Sequence, residues 1–197
     1  VTEDTSRDGG FRGLWGRDIN ADDFVHEIID TYQALDPNYD GRFYLVGHSA
    51  GAQFANRYLV RHAERVIAAT YSAPAWLALP DEKLKWPLGM GERKYQQNWQ
   101  GRALNNAIHV IPSPNWWLKA AQIPGALVVG ENDLKPMRHV ENIGGDDHVA
   151  RAKYWVASMD AFAKRNGISS AHQLILLSGV GHDYPKLVPA MQKFMRD

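Results

Sequence analysis

The sequence predicts an α/β fold with a mostly parallel sheet and helices on both faces. Short apolar runs of strand-forming residues alternate with segments of helical periodicity, and this alternation is typical of crossovers between parallel strands. A length of 197 residues fits one domain, so we expect residues 1–197 to fold as a single unit.

The composition limits the classes of partner. Lys and Arg together number 22, as do Asp and Glu, so the formal net charge is zero. Because the sequence has no run of basic residues, it offers no footprint for nucleic acid or an anionic membrane, and a neutral small-molecule or polymeric substrate fits better. The absence of cysteine excludes disulfides and thiolate metal ligands. The apolar runs are far shorter than the ~20 residues of a membrane helix, so we expect a soluble protein.

The N-terminal part is predicted to be a loop followed by a helix. Residues 1–20 are polar and Gly-rich, without the apolar core of a signal peptide, and Trp15 in this loop is a candidate substrate contact. Asn20 or Asp22 can cap a helix that runs to about Leu35. The helix has an apolar face that we expect to pack on the sheet, formed by Phe24, Ile28, Tyr32 and Leu35.

The pentapeptide from Gly47 to Gly51 has the pattern G-x-S-x-G. It follows the apolar run 43–46 and precedes a helical segment of about 50–63, which is the strand, turn and helix context of a nucleophile elbow. In such a turn Ser49 projects from the end of the sheet as a candidate nucleophile. Crowding of the backbone is expected to admit only glycine at both ends of the pentapeptide.

Two neighbours of Ser49 are also candidate site residues. The backbone N–H of Ala50 opens the predicted helix, where free N–H groups and the helix dipole favour an oxyanion. His48 stands beside the nucleophile in the sequence and is a candidate substrate contact.

Residues 75–122 are the least regular and most aromatic part of the chain, after a strand predicted at 66–71. A long connection between two sheet strands is usually functional, so we expect a partly helical cap over the substrate pocket. Its candidate substrate-binding residues are Trp76, Trp116 and Trp117. The alternative is that these tryptophans only pack the excursion against the body of the domain.

The candidate acid and base follow two further predicted strands. Asp133 comes after an apolar strand at 126–130, and His182 follows a strand at 173–178 and a Gly-rich turn. Two more helices are predicted, at 150–166 and 186–196. The rivals to Asp133 are Glu131, Asp146, Asp147 and Asp183.

A metal site is a further possibility that the sequence offers. His139 and His148 lie near Asp146 and Asp147 in the chain. Their spacing matches no zinc or calcium signature, so the sequence predicts neither a metal nor another cofactor.

These motifs together resemble the α/β-hydrolase family, of the esterase and dienelactone hydrolase or polyhydroxyalkanoate depolymerase-like kind. The resemblance rests on three motifs in the family's order: Gly47 to Gly51, Gly130-x-x-Asp133 and Gly181-His182. It implies a catalytic triad of Ser49, Asp133 and His182 that hydrolyses carboxylic esters through an acyl-enzyme.

The resemblance covers about the last two-thirds of the family's domain. In the family, three or four strands precede the elbow, and a loop after the third gives a second oxyanion N–H. No strand is predicted before Arg42, so we expect a fragment of a longer chain or a shortened variant. The motifs do not distinguish between esterase, thioesterase, peptidase and acyltransferase activity. The alternative from another class is a hydrolase scaffold that binds ligands without catalysis.

Overall fold

A four-stranded parallel sheet is the centre of the fold. The computed structural model of the protein describes residues 15–16, 19–99, 102–136 and 143–197. In chain order the helices and strands are β1 (Trp15–Gly16), β2 (Ile19–Asn20), α1 (Ala21–Leu35), β3 (Phe43–His48), α2 (Ala50–Arg61), β4 (Val66–Ser72), β5 (Arg93–Trp99), β6 (Arg102–Val110), α3 (Pro114–Ala121), β7 (Gly125–Gly130), α4 (His148–Arg165), β8 (His172–Leu177) and α5 (Tyr184–Arg196). The strand order is β3-β4-β7-β8, and every neighbouring pair is parallel.

Helices cover both faces of this sheet. On β7, Leu127 and Val129 belong to a core that includes residues of α2, α3 and α4, whereas Ala126 and Val128 pack with Leu187 of α5. Every residue of β7 is buried, as expected of an inner strand that is covered on both sides. The predicted fold class is therefore confirmed. None of the described helices combines the length and the apolarity needed to cross a lipid bilayer.

Helix α1 lies where it was predicted but leaves its apolar face in solvent. Phe24 is 51% exposed and Leu35 is 78% exposed, and Ile28 and Tyr32 between them are exposed as well. Within the described part of the chain β3 is the edge strand of the sheet, so no strand beyond it lies under this face. The prediction that these four residues pack on the sheet is wrong for the described structure.

A polar contact attaches α1 to the end of α2 instead. The carboxylate of Asp22 lies 2.8 Å from Nε2 of His62, and both side chains are buried. Arg65 adds an ion pair with Asp30 at 3.1 Å, which is partly exposed and therefore contributes little. The position of α1 thus depends on this buried hydrogen bond together with the packing of Val25 on the core and the contacts of the His26 ring with Tyr58 and His62.

Two segments that were predicted to be irregular or helical contain strands. In segment 1–20, β1 and β2 form a short antiparallel ladder, and the other residues of the segment, 1–14 and 17–18, lie outside the described ones. The predicted cap, residues 75–122, contains an antiparallel hairpin of β5 and β6 followed by α3. Because α3 packs against α2 and α4, it belongs to the body of the domain. A cap role for the rest of 75–122 stays a prediction.

His172 is a buried histidine at the start of β8. Its Nε2–H donates to the carbonyl oxygen of Ala120 at 3.0 Å. Burial lowers the pKa of His172 to about 4, although the bond to Ala120 opposes this shift. The ring is therefore neutral in the folded protein at pH 7.

This neutral histidine predicts a loss of stability in mild acid. Below about pH 6.5 the unfolded chain takes up a proton at His172 that the folded protein does not. The free energy of unfolding should therefore fall between about pH 6.5 and about pH 4, by up to about 3 kcal/mol from this group. Urea unfolding near pH 7 and near pH 4.5 measures this loss. It should be clearly smaller in His172→Gln, which cannot titrate, than in the parent protein. An equal loss in His172→Gln and the parent protein would contradict the prediction.

Candidate active site

The turn at Ser49 joins β3 to α2 in a strained conformation. Ser49 has φ 51° and ψ −114°, a region that residues with a side chain rarely adopt and that costs about 1 to 3 kcal/mol. Its backbone N–H donates to the carbonyl of Ser72, at the end of the neighbouring strand β4, at 2.8 Å. The inner strand therefore holds the elbow in place from the side.

The two glycines of the elbow have different roles. A Cβ at Gly47 would lie 2.5 Å from the carbonyl oxygen of Gly51 and 2.8 Å from Cα of Ala52, so only glycine fits there. A Cβ at Gly51 would meet no atom within 4 Å. The prediction that crowding requires glycine at both positions is confirmed for Gly47 and wrong for Gly51, because the first turn of α2 leaves that side of Gly51 open.

Asp133 and His182 meet at the carboxyl edge of the sheet. Asp133 follows β7 and is 2% exposed, and its Oδ2 lies 2.8 Å from Nδ1 of His182, which follows β8. Since a carboxylate only accepts, Nδ1 of His182 carries the proton and Nε2 is left with its lone pair. Among the rival acids, Glu131 and Asp146 are exposed and Asp183 pairs with Lys186 at 3.0 Å. Of the candidate acids, Asp133 is therefore the residue that the structure brings to the imidazole of His182.

Ser49 lies beside this pair but is not bonded to it. The ring of His48, the residue before Ser49, lies 5.0 Å from the ring of His182, centroid to centroid. The Ser49 hydroxyl makes no hydrogen bond with any described residue. The structure therefore shows the contact between Asp133 and His182, and it brings His48, the residue before Ser49, against His182. The full triad with Ser49 stays a prediction. Ala50 is the first residue of α2, so its N–H faces outward from the helix N-terminus as predicted.

His48 is held in place by the surrounding side chains. Its Nδ1 lies 2.8 Å from Oγ of Ser72, and its ring also contacts the ring of Tyr184 at 4.9 Å. Burial lowers the pKa of His48, and the neighbouring His182 lowers it further. The residue is only half-buried.

His148, which the sequence suggested only as part of a metal cluster that its spacing did not support, also lies against Asp133. Its Nδ1 lies 3.1 Å from Oδ1 of Asp133, and its ring lies 4.9 Å from the ring of His182. Burial lowers the pKa of His148, with Asp133 opposing and His182 reinforcing the shift. The sequence places His148 beside two aspartates but gives no sign that the first residue of α4 faces the turn after β7. Of the metal cluster considered from sequence, His139 lies outside the described residues.

The predicted tryptophan contacts divide into core and surface positions. Trp117 is fully buried, and its Nε1–H donates to the carbonyl of Ala78 at 3.3 Å. Trp116 stacks beside it, with the guanidinium of Arg61 4.6 Å above its ring. Trp117 therefore contributes to the core, and Trp116 lies at the joint between α3 and α2. Contact of either residue with substrate stays a prediction.

Two predicted tryptophan contacts remain. Trp76 follows the carboxyl end of β4 and is half-buried, and it lines a small cavity with Arg151 and Trp155. Trp15 lies in β1. Contact of either residue with substrate stays a prediction.

The cluster of Asp133, His148 and His182 can hold a metal ion. One ligand atom each from Asp133, His148 and His182 lies within 4.8 Å of the other two. A carboxylate with two imidazoles is a donor set found in zinc sites.

Comparison with known proteins identifies the family to which the chain belongs. A family model described as alpha/beta hydrolase fold matches residues 10–117. The chain is similar to the poly(3-hydroxybutyrate) depolymerase LpqC from Bordetella parapertussis, with 21% identity and a TM-score of 0.69 over 88% of this chain and 55% of that one. It is also similar to poly(aspartic acid) hydrolase-1 from Sphingomonas sp. KT-1, with 17% identity and a TM-score of 0.68 over 89% of this chain and 62% of that one. The chain thus spans less than two thirds of the length of both proteins. A search of curated protein sequences found no significant match.

The two glycines of the elbow give a matched pair of substitutions. Gly47→Ala should destabilise the protein by about 1 to 3 kcal/mol or more, because its Cβ overlaps backbone atoms of α2 that cannot move independently. Gly51→Ala should be neutral or stabilise the protein by up to about 1 kcal/mol, because the space is open and alanine favours helix. Urea unfolding of both variants measures the difference. Equal destabilisation by the two substitutions would contradict this geometry.

Proposed function

The chain belongs to the alpha/beta hydrolase fold family, and from this premise we propose that it is a serine hydrolase that cleaves carboxylic esters through an acyl-enzyme. The observation that carries the proposal is the 2.8 Å contact between Oδ2 of the buried Asp133 and Nδ1 of His182, at the sheet edge where the strained Ser49 also lies. Acyl transfer by a serine requires a base that a buried acid orients, and Asp133 and His182 supply such a pair in the proposed site.

In the proposed reaction Ser49 Oγ attacks the ester carbonyl while Nε2 of His182 takes the hydroxyl proton. Asp133 accepts the Nδ1–H of His182, which keeps the lone pair on Nε2, and its negative charge stabilises the imidazolium that forms. His182 then gives the proton to the leaving alcohol, and the same ring activates the water that releases the acid. The Ser49 hydroxyl turns toward Nε2 when substrate binds, since such contacts often tighten only in the complex.

The proposed oxyanion donor is the backbone N–H of Ala50. It lies at the N-terminus of a helix of 12 residues, where the helix dipole also favours negative charge. One donor of this kind contributes about 3 to 4 kcal/mol to transition-state stabilisation. The second donor of the family's oxyanion hole is not assigned to a described residue.

The proposed substrate is a neutral ester, either a small molecule or a polymer. The chain has no net charge that would select an ionic substrate, and one of its structural neighbours is a poly(3-hydroxybutyrate) depolymerase. We propose His48 and Trp76 as contacts for the substrate, because both are half-buried at the carboxyl edge of the sheet. Thioesters and amides pass through the same acyl-enzyme, so they belong in the same assay.

A second candidate function is a scaffold that binds ligands without catalysis. It is favoured by the Ser49 hydroxyl, which has no hydrogen bond to His182 in the described structure. Fold alone does not establish activity, and the chain covers only 55% of the depolymerase it resembles.

Labelling with a fluorophosphonate separates these two functions. The probe should label Ser49, and the label should be absent in Ser49→Ala and retained in Ser178→Ala, which removes an exposed serine after β8. Hydrolysis of a nitrophenyl ester should fall by about 10³-fold or more in Asp133→Asn and in His182→Ala, since the serine is then not activated. If folded protein neither takes the label nor cleaves esters, thioesters or amides, the binding-scaffold function is correct.

A further inference from the structure

The carboxylate of Asp133 is shared between two histidines. Its Oδ2 lies 2.8 Å from Nδ1 of His182, and its Oδ1 lies 3.1 Å from Nδ1 of His148. The first contact is the hydrogen bond used in the proposed reaction. The second contact has no part in that reaction, so His148 needs a separate explanation.

The nitrogen of His148 that faces Asp133 is unsatisfied. The atom is buried, yet the ring is turned so that its approach to Oδ1 is not a hydrogen bond, and it has no other hydrogen-bond partner among the described residues. A buried nitrogen without a partner costs free energy, as does a buried carboxylate with incomplete pairing. A cation placed between the two groups would satisfy both.

The position of His148 is fixed by the start of α4. The side chain of Asp147 caps the helix by accepting from the N–H of Ala150 at 2.7 Å. Arg151, one turn along, donates to the carbonyl oxygens of Gly145 at 2.8 Å and Ala75 at 2.9 Å. His148 is therefore presented by a rigid element, which is what a preformed ligand requires.

We propose that Asp133, His148 and His182 bind a divalent transition-metal ion of the zinc class and that this binding switches the active site off. One carboxylate oxygen and two imidazole nitrogens suit Zn²⁺. The three atoms lie within 4.8 Å of one another. Ligand atoms around a tetrahedral ion with bonds of about 2.0 to 2.2 Å lie about 3.4 Å apart, so shifts of about 1 Å bring the three atoms to an ion. The side chain of His182 is 33% exposed, which gives the ion a path from solvent.

The switch follows from the tautomer of His182. In the proposed active form Nδ1 carries the proton and Nε2 has the lone pair that receives the Ser49 proton. A metal ion can bind Nδ1 only if Nδ1 has a free lone pair. The proton therefore moves through solvent from Nδ1 to Nε2, and the ring stays neutral. With Nε2 protonated, His182 cannot take the proton of Ser49. The inhibition rests on the proposed function, whereas the binding of the ion does not.

Metal binding is tested on Ser49→Ala, prepared without a histidine tag, so that the result is independent of hydrolysis. Calorimetric titration with Zn²⁺ should show one ion bound per chain. Adding His148→Gln should weaken binding more than about tenfold, and adding the control His109→Gln should not. Absence of Zn²⁺ binding, or equal binding by the His148→Gln and His109→Gln proteins, overturns the site.

A second readout covers the case in which His148→Gln does not fold. The visible spectrum of Co²⁺ bound to folded Ser49→Ala should show the intense bands of a low-coordinate ion. A spectrum of fully hydrated Co²⁺ overturns the site.

Inhibition is tested on the protein with Ser49 intact. Zn²⁺ should suppress ester hydrolysis, and a chelator should restore it. In His148→Gln, the same fractional suppression of the metal-free rate should need more than about tenfold more Zn²⁺. Binding without suppression overturns the switch. A protein that binds Zn²⁺ through His148 but hydrolyses nothing without metal overturns the proposed function and supports the site.

Discussion

Parallel pairing of β3, β4, β7 and β8 is the constraint on which the candidate site depends. The carboxyl ends of parallel strands lie at one edge of a sheet, so residues that follow different strands meet there although they are distant in sequence. Ser49 follows β3, Asp133 follows β7 and His182 follows β8. The inner strand β4 ends at Ser72, whose carbonyl accepts from Ser49 N–H and whose hydroxyl bonds to His48. The sheet therefore determines both where the residues meet and how the elbow is oriented.

The charge at this edge is arranged around the buried carboxylate of Asp133. Burial lowers the pKa of both His48 and His148, which favours the neutral form of these rings. They flank the ring of His182 at 5.0 and 4.9 Å. Neutral neighbours do not repel the imidazolium that the proposed reaction forms on His182, and the nearest full charge is the opposite charge of Asp133. A cation bound between Asp133 and His148 would offset the negative charge of Asp133 and so disfavour the imidazolium form of His182.

The sequence predicted those parts of the structure that depend on local patterns. Strand β7 was found from its apolar run, and Gly47 from the turn that Ser49 requires. The sequence could not predict contacts between residues of elements that are distant in the chain. Nothing in the chain indicates that His148 at the start of α4 faces Asp133. The exposed face of α1, including Leu35, has the pattern of a buried face, although no strand among the described residues lies under it.

The structure of the protein after reaction with a fluorophosphonate tests the central claim most directly. If the sheet edge is the active site, phosphorus is bonded to Ser49 Oγ, its oxygen accepts from the N–H of Ala50, and His182 stays bonded to Asp133 with Nε2 turned to the adduct. An adduct on another residue, or His182 turned away from a labelled Ser49, would contradict the account.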